Sequence, residues 1–166
     1  SNSGANAGAK SGSFNMGVSG TPVALTKANI LDYIVDMGSV LDEQSVPESD
    51  RWLVLPPAMC GLIKKSDLKD ASLSGDGVSI MRNGRIGMID RFTIYNSNLL
   101  STTVDGANNV SNIVAGHKSA LTFASQLLEN ETIRAESTFG SKFRGLQVFG
   151  YDVLKSQALV HGYAYK

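Results

Sequence analysis

His117 and His161 are the only histidines in the chain. Imidazole acid–base chemistry near neutral pH would have to use one of them. His117 stands in "AGHKSA". A base there needs a nucleophile and an orienting group, and Ser119 and Asp105 offer the right residue types. The enzymatic reading is therefore a small hydrolase or transferase with a site around His117, Asp105 and Ser119. The same stretch falls short of a phosphate loop, which needs Gly-x-x-x-x-Gly-Lys-Ser so that backbone amides converge on the phosphates. Here His117 separates Gly116 from Lys118, and position 111 is Ser. A serine-hydrolase Gly-x-Ser-x-Gly elbow is missing as well. Asp32 and Asp36 sit one helical turn apart, but no third ligand lies close in sequence, so a solvated helix face explains them better than a cation site. His161 lies in an alternating segment beside Gly162 and reads as a packed or surface residue. The reading assigns no catalytic residue, cofactor or metal.

Composition narrows the classes further. The chain has 166 residues, 42% of them hydrophobic, which suffices for one domain with a core or for two small lobes. Fifteen basic and fifteen acidic residues cancel, and the longest basic run is Lys64-Lys65. A generic or sequence-specific nucleic-acid binder needs a basic face, so that class is disfavoured. Near-zero charge removes a barrier to self-association. No apolar run approaches the roughly 20 residues of a membrane-spanning helix. The lone Cys60 makes no internal disulfide and excludes a zinc site built on several thiolates. Its apolar surroundings mark it as a small core residue. The start "SNSGANAGAKSGSF" lacks Met and reads as the edge of a piece cut from a longer protein.

The elements that must position these residues are legible in outline. Residues 1–25 are rich in Gly, Ser, Ala and Asn, and they are expected to stay flexible because they can bury little surface. "TKANILDYIVDMGSVLDEQ" predicts a helix of roughly five turns. Thr26 is its expected N-cap, and Ile30, Ile34, Met37 and Leu41 form its apolar face, widened by Leu31 and Val35. "RWLVL" predicts a strand buried on both faces, with Trp52 as a core anchor. Pro56 ends the ladder and Pro57 can open a short helix, with Met59, Leu62 and Ile63 on its apolar side. Asn83-Gly84 predicts a tight hairpin. "RFTIYNS" alternates as a strand, and "LLSTTVDGANNVSN" reads as a long polar connection. A short strand at 113–115 is followed by a weakly helical stretch to about Leu128. "ETIRAES", "KFRGLQVFGYDVL" and "ALVHGYAY" read as strands. Arg134, Arg144 and Glu136 flank these strands as candidates for cross-strand or intersubunit pairs. The irregular order of helices and strands gives an α+β class, without β-α-β alternation.

Taken in order, these segments resemble the tailed-bacteriophage major capsid (coat) protein family with the HK97-like fold. Pro47, Arg51, Leu55 and Pro56 stand in the order of that family's proline, arginine, leucine and proline run after a long helix. "NGRIGMIDRFTIYNSNLL" resembles the family's next strand segment, though Asp90-Arg91 stands where such proteins often have Gly. "IVAGHKSALTFASQL" and "ETIRAESTFGSKFRGLQVFGYDVLKSQALV" resemble the returning and closing strands. The similarity covers about residues 26–163 and lacks the family's amino-terminal arm and extended loop.

The resemblance implies a long spine helix beside a peripheral β-sheet, with an axial α+β domain. Residues 26–50 with 128–166 would form the peripheral domain, 51–127 the axial domain, and 1–25 a flexible remnant of an upstream region. The implied function is structural: copies assemble into pentamers and hexamers of an icosahedral capsid enclosing DNA. The partners would be other copies of the chain, with scaffolding and portal proteins. The location would be the virion, after assembly in the host cytoplasm. Candidate subunit contacts are the hairpin tip Arg82, Asn83, Gly84 and Arg85, the connection 98–112 with Asp105 and Asn108, and Arg134 and Arg144. With the arm and loop missing, the chain alone is expected to be a monomer or weak oligomer. A third reading, a binding or decoration module, would show one large exposed apolar patch.

Overall fold

The computed structural model describes residues 2–66 and 87–166. The predicted Asn83-Gly84 hairpin lies outside these residues. The chain divides into two compact units, Ser1–Ala120 with Lys155–Lys166, and Leu121–Leu154.

The larger unit is a sheet with helices. Its strands are β1 (Val23–Ala24), β2 (Arg51–Leu55), β3 (Met88–Ile89), β4 (Phe92–Asn96), β5 (Thr102–Asp105), β6 (Asn108–His117) and β9 (Leu159–Tyr165). Helix α1 spans Ile30–Glu43 and α2 spans Pro57–Lys65. The sheet order is β1-β9-β6-β2-β4-β3, with β5 added to β6. Strands β1 and β9 pair in parallel, as do β2 and β4, and the other ladders are antiparallel. Together with α1 and α2 this is an α+β fold, as the irregular element order predicts.

Helix α1 buries Ile30, Ile34, Met37 and Leu41 as its spacing predicts, together with Tyr33, Gly38 and Val40. Val35, expected to widen the stripe, is exposed, and Leu31 is half-buried. The helix is shorter than expected because Thr26 is not its cap. The N-cap is Asn29, whose side-chain oxygen instead accepts the Thr26 backbone N–H at 2.6 Å. Pro56 caps α2 and Pro57 is its first residue, where a missing N–H leaves no bond unmade. Met59, Cys60, Leu62 and Ile63 are buried.

Strand β2 departs from its two-sided expectation. Arg51, Leu53 and Leu55 are buried while Trp52 and Val54 are half-buried, so only one sheet face enters the core. Trp52 is a half-covered lid rather than a core anchor. It pairs with Gly116, at which a Cβ would stand 3.3 Å from the indole.

The amino-terminal segment is packed, contrary to the flexibility expected of it. Ala7 and Met16 are fully buried. The backbone oxygens of Asn2, Met16 and Tyr165 accept the backbone N–H groups of His161, Tyr163 and Leu25 at 3.1, 2.7 and 2.7 Å. The buried Tyr33 hydroxyl donates to Met16 O at 3.0 Å. Order here comes from backbone pairing along β9 together with burial of a few side chains, and composition does not reveal the backbone pairing. Gly17 makes the approach possible: its φ is +85°, and a Cβ there would meet the Tyr163 carbonyl oxygen at 2.0 Å.

The smaller unit is a two-stranded antiparallel hairpin, β7 (Leu121–Arg134) with β8 (Ser141–Val153). The weakly helical reading of 116–128 is therefore wrong. Residues Asn108–His117 complete β6, one turn of 3-10 helix follows at Lys118–Ala120, and β7 begins at Leu121. Period-two alternation of large side chains at Leu121, Phe123 and Leu127 outweighs local helix propensity.

Candidate assembly surfaces

The Pro47 to Pro56 run builds a buried ionic joint. Arg51 begins β2, and its side chain is fully enclosed. Its guanidinium donates to Pro47 O at 2.9 Å, Val46 O at 2.7 Å, Gly38 O at 3.4 Å and Asp42 Oδ1 at 2.6 Å. One planar fork thus ties α1 and the chain leaving it to the central sheet. Asp42 Oδ2 accepts a second bond, from Arg91 at 2.9 Å. Burial raises the Asp42 pKa, but hydrogen bonds from Arg51 and Arg91 outweigh it and hold the carboxyl below its usual range. Arg91 also pairs with Glu48 at 2.9 Å.

Asp90-Arg91 forms the turn between β3 and β4 with φ of +45° and +67°. Two non-glycine residues with positive φ match a type I′ hairpin turn, and the ion pairs of Arg91 hold that conformation in place. Asp90 Oδ2 is buried without a hydrogen-bond partner. It sits where a Cβ on Gly38 would stand only 2.4 Å away, so the helical glycine makes room for this turn.

The enzymatic reading does not assemble. His117 Nδ1 lies 2.8 Å from Ser119 Oγ and accepts the Ser119 backbone N–H at 3.2 Å, a local bond across the 3-10 turn. Asp105 is at the far end of β6, paired with Asn108, and nine strand residues put it roughly 30 Å from His117. Its Oδ2 instead accepts the Gly20 N–H at 2.6 Å. The acidic neighbour on the His117 side is Asp50. A hydrogen bond from Lys118, then the charges of Lys118 and His117, hold its carboxyl low. His161 is exposed on β9; partial desolvation of its ring lowers its pKa, and its Nε2 lies 3.0 Å from Asn112 Oδ1.

Beside His161 is a surface hollow of about 500 Å³ lined by Asn2, Gln44, Gln157 and Leu159. Its amides already bond one another: Asn2 donates to Gln157 O and Leu159 O, and Gln44 donates to Asn2. Cys60 is buried, and burial raises its thiol pKa. Burial, then the charge of Asp32, raises the Asp36 pKa. Among the described residues no three His, Cys, Asp or Glu side chains are grouped to hold a metal ion.

The candidate contact residues fall in separate places. Arg82, Asn83, Gly84 and Arg85 lie outside the described residues. The connection 98–112 is not a loop but largely a hairpin: Asp105 and Asn108 pair across a turn at Gly106, whose φ is +61°. Val104 and Leu99 are exposed there. Arg134 ends β7, and Arg144 on β8 faces Glu131 in register and forms an ion pair with it. That cross-strand pair is of the kind expected, with Glu131 rather than Glu136 as the partner.

The surface missed in the sequence is one side of the β7–β8 hairpin. The register pairs Leu121 with Val153, Phe123 with Tyr151, Ser125 with Phe149 and Leu127 with Gln147, all on one face. Phe143 continues that face beyond the irregularity at Leu127/Glu129. The other face carries Thr122 with Asp152, Gln126 with Val148, Glu131 with Arg144 and Ile133 with Lys142. The aromatic rings on the first face are largely exposed: Phe123 67%, Phe143 73%, Phe149 63% and Tyr151 80%. Phe123 and Phe149 have ring centroids 6.3 Å apart. Phe139, in the turn between the strands, is fully exposed. The alternation of Phe149, Tyr151 and Val153 was available in the sequence, but the helical reading of the partner strand hid its match.

Against known proteins, no family model matches the chain, and no curated protein does. Solved structures do. A structure from Mycobacterium phage Che8 is similar at 29% identity with a TM-score of 0.67, over 85% of this chain and 53% of that one. The capsid structure of cyanophage P-SCSP1u is similar at 16% identity with a TM-score of 0.62, over 89% of this chain and 54% of that one. Both neighbours come from phages, and the second, a capsid structure, is a likeness of fold. The chain spans about half the length of each of these two neighbours. Among the described residues no helix is long and apolar enough to cross a membrane.

Proposed function

We propose that this chain belongs to a major capsid protein of the HK97-like fold, whose copies form the pentamers and hexamers of an icosahedral shell around DNA. The observation that carries the reading is the likeness to the Che8 phage structure, 29% identical over 85% of the chain, joined to the fold likeness with the cyanophage capsid structure. The physical character of the molecule agrees with a mechanical role. The buried Arg51 fork, the proline-capped β2–α2 step and the Asp90-Arg91 turn stiffen one joint, and the acid–base residues are dispersed. Residues 26–50 with 128–166 would serve as the peripheral domain and 51–127 as the axial domain. Arg82, Asn83, Gly84 and Arg85, the Asp105–Asn108 turn, and Arg134 and Arg144 would meet neighbouring subunits. Scaffolding and portal proteins are the further partners proposed, with assembly in the host cytoplasm.

A binding or decoration module is the second reading, favoured by the exposed apolar face of the β7–β8 hairpin. Electron microscopy of the full-length protein, expressed alone and with a scaffold, separates the two. Shells or capsomers are the expected result, and particles no larger than a small oligomer under both conditions would defeat the capsid reading. Within assembling protein, Arg82→Glu with Arg85→Glu should impair shell formation. Unchanged assembly would remove that segment from the contacts.

A further inference from the structure

The β7–β8 hairpin has a face that water should not be left to cover. One side gathers Leu121, Phe123, Leu127, Phe143, Phe149, Tyr151 and Val153, with Ser125 and Gln147 among them, and all four aromatic rings of the two strands lie there; the opposite side mixes Leu146, Val148 and Ile133 with the charges of Glu129, Glu131, Lys142, Arg144 and Asp152. The unit contains two strands only, and nothing within it packs on the strip. A lone two-stranded ribbon is marginally stable in water and needs a third strand or a second layer.

We propose that the second layer is the same face of a second copy of this chain, giving a two-fold dimer through β7–β8. This rests on the capsid-subunit reading, in which copies meet one another, and it names one contact surface. The area fits such a partner. Four aromatic side chains about two-thirds exposed and three aliphatic ones about half exposed offer roughly 600–800 Å² a side, close to the ~800 Å² per partner of a standard stable interface. The chemistry fits too. The centre of the strip carries no charge, so two copies related by a two-fold axis bring no like charges together there. Glu129, Glu131, Lys142, Arg144 and Asp152 lie on the outer face, where they stay solvated, and Arg134 stands only at the far end of the strip's own face. Two stacked ribbons would also take the ~10 Å face-to-face spacing of packed sheets, which suits interdigitating phenylalanines. The monomer or weak oligomer expected from the sequence is the alternative that the experiment below sets against this dimer.

The test is sedimentation equilibrium of the 166-residue chain from 1 to about 100 µM, with Trp52 fluorescence confirming that the larger unit is folded. A mass twice that of the chain is expected. Phe149→Asp, at the centre of the strip, should weaken the dimer roughly 30-fold or more, as loss of a central aromatic anchor does. Gln126→Asp, on the opposite face, should leave the dimer intact. A monomer across the whole range would overturn the proposal and point to a different polypeptide as the cover. So would a dimer indifferent to Phe149→Asp, or one broken equally by Gln126→Asp. Shells formed by a full-length protein whose 166-residue segment stays monomeric would sink the dimer alone. A dimer without shells would sink the capsid reading and keep this surface.

Discussion

Arg51→Met is the sharpest test of how the larger unit holds together. The substitution keeps most of the side-chain length and removes the guanidinium from a site with no solvent exposure. Four hydrogen bonds disappear, three of them to backbone carbonyls of Gly38, Val46 and Pro47. Each carbonyl left buried without a donor costs about 1–3 kcal/mol. Pro47 is exposed and Val46 half-buried, so water can replace the donor at those two and their shares fall at the low end. Asp42 keeps the bond from Arg91 and is 40% exposed, which makes its own loss small. The sum is about 3 kcal/mol, at the lower edge of what breaking one side of a buried ion pair costs. Trp52 is the sole tryptophan and neighbours Arg51 on β2, so its fluorescence reports urea unfolding of this unit. At a slope of about 2 kcal/mol/M the midpoint should fall by roughly 1.5 M. Asp42→Asn should shift it by less than half as much. A shift under ~0.5 M for Arg51→Met would refute the claim that the carbonyl bonds dominate, as would equal shifts for both variants.

Three further expectations follow from named contacts. Gly17→Ala should destabilise by about 2 kcal/mol or more, because positive φ and the Tyr163 carbonyl leave no room for a Cβ; an unchanged unfolding midpoint would show that residues 2–25 do not pack along β9. The Cys60 thiol is buried with its pKa raised, so disulfide reagents should label it only after denaturant unfolds the chain, and rapid labelling of the native protein contradicts the packing of α2. Asp42 has a lowered folded pKa, so its stabilisation is complete above the unfolded value of about 4 and is lost as the pH falls through the lower folded value. Asp42→Asn should therefore flatten the acid limb of the stability profile below about pH 4, and an unchanged limb would assign acid sensitivity to other carboxylates.

Local pattern alone determined the α1 stripe, the step from β2 through Pro56 to α2, and the strand character of 141–153 and 159–165. Each rests on spacing or proline chemistry that acts within a few residues. The resemblance carried by Pro47, Arg51, Leu55 and Pro56 pointed to capsid chains, but only the folded chain shows why Arg51 is there. Its four acceptors come from residues 38, 42, 46 and 47, which the helix end gathers around one guanidinium. Tertiary structure also ordered residues 2–25, since their bonds go to the backbone of β9 more than a hundred residues away, and backbone partners leave no trace in composition. It parted Asp105 from His117, because a ten-residue strand is a rigid spacer that residue type cannot reveal. It made the β7–β8 strip, too: the two halves are each only an alternating segment, and pairing register decides whether their apolar sides coincide.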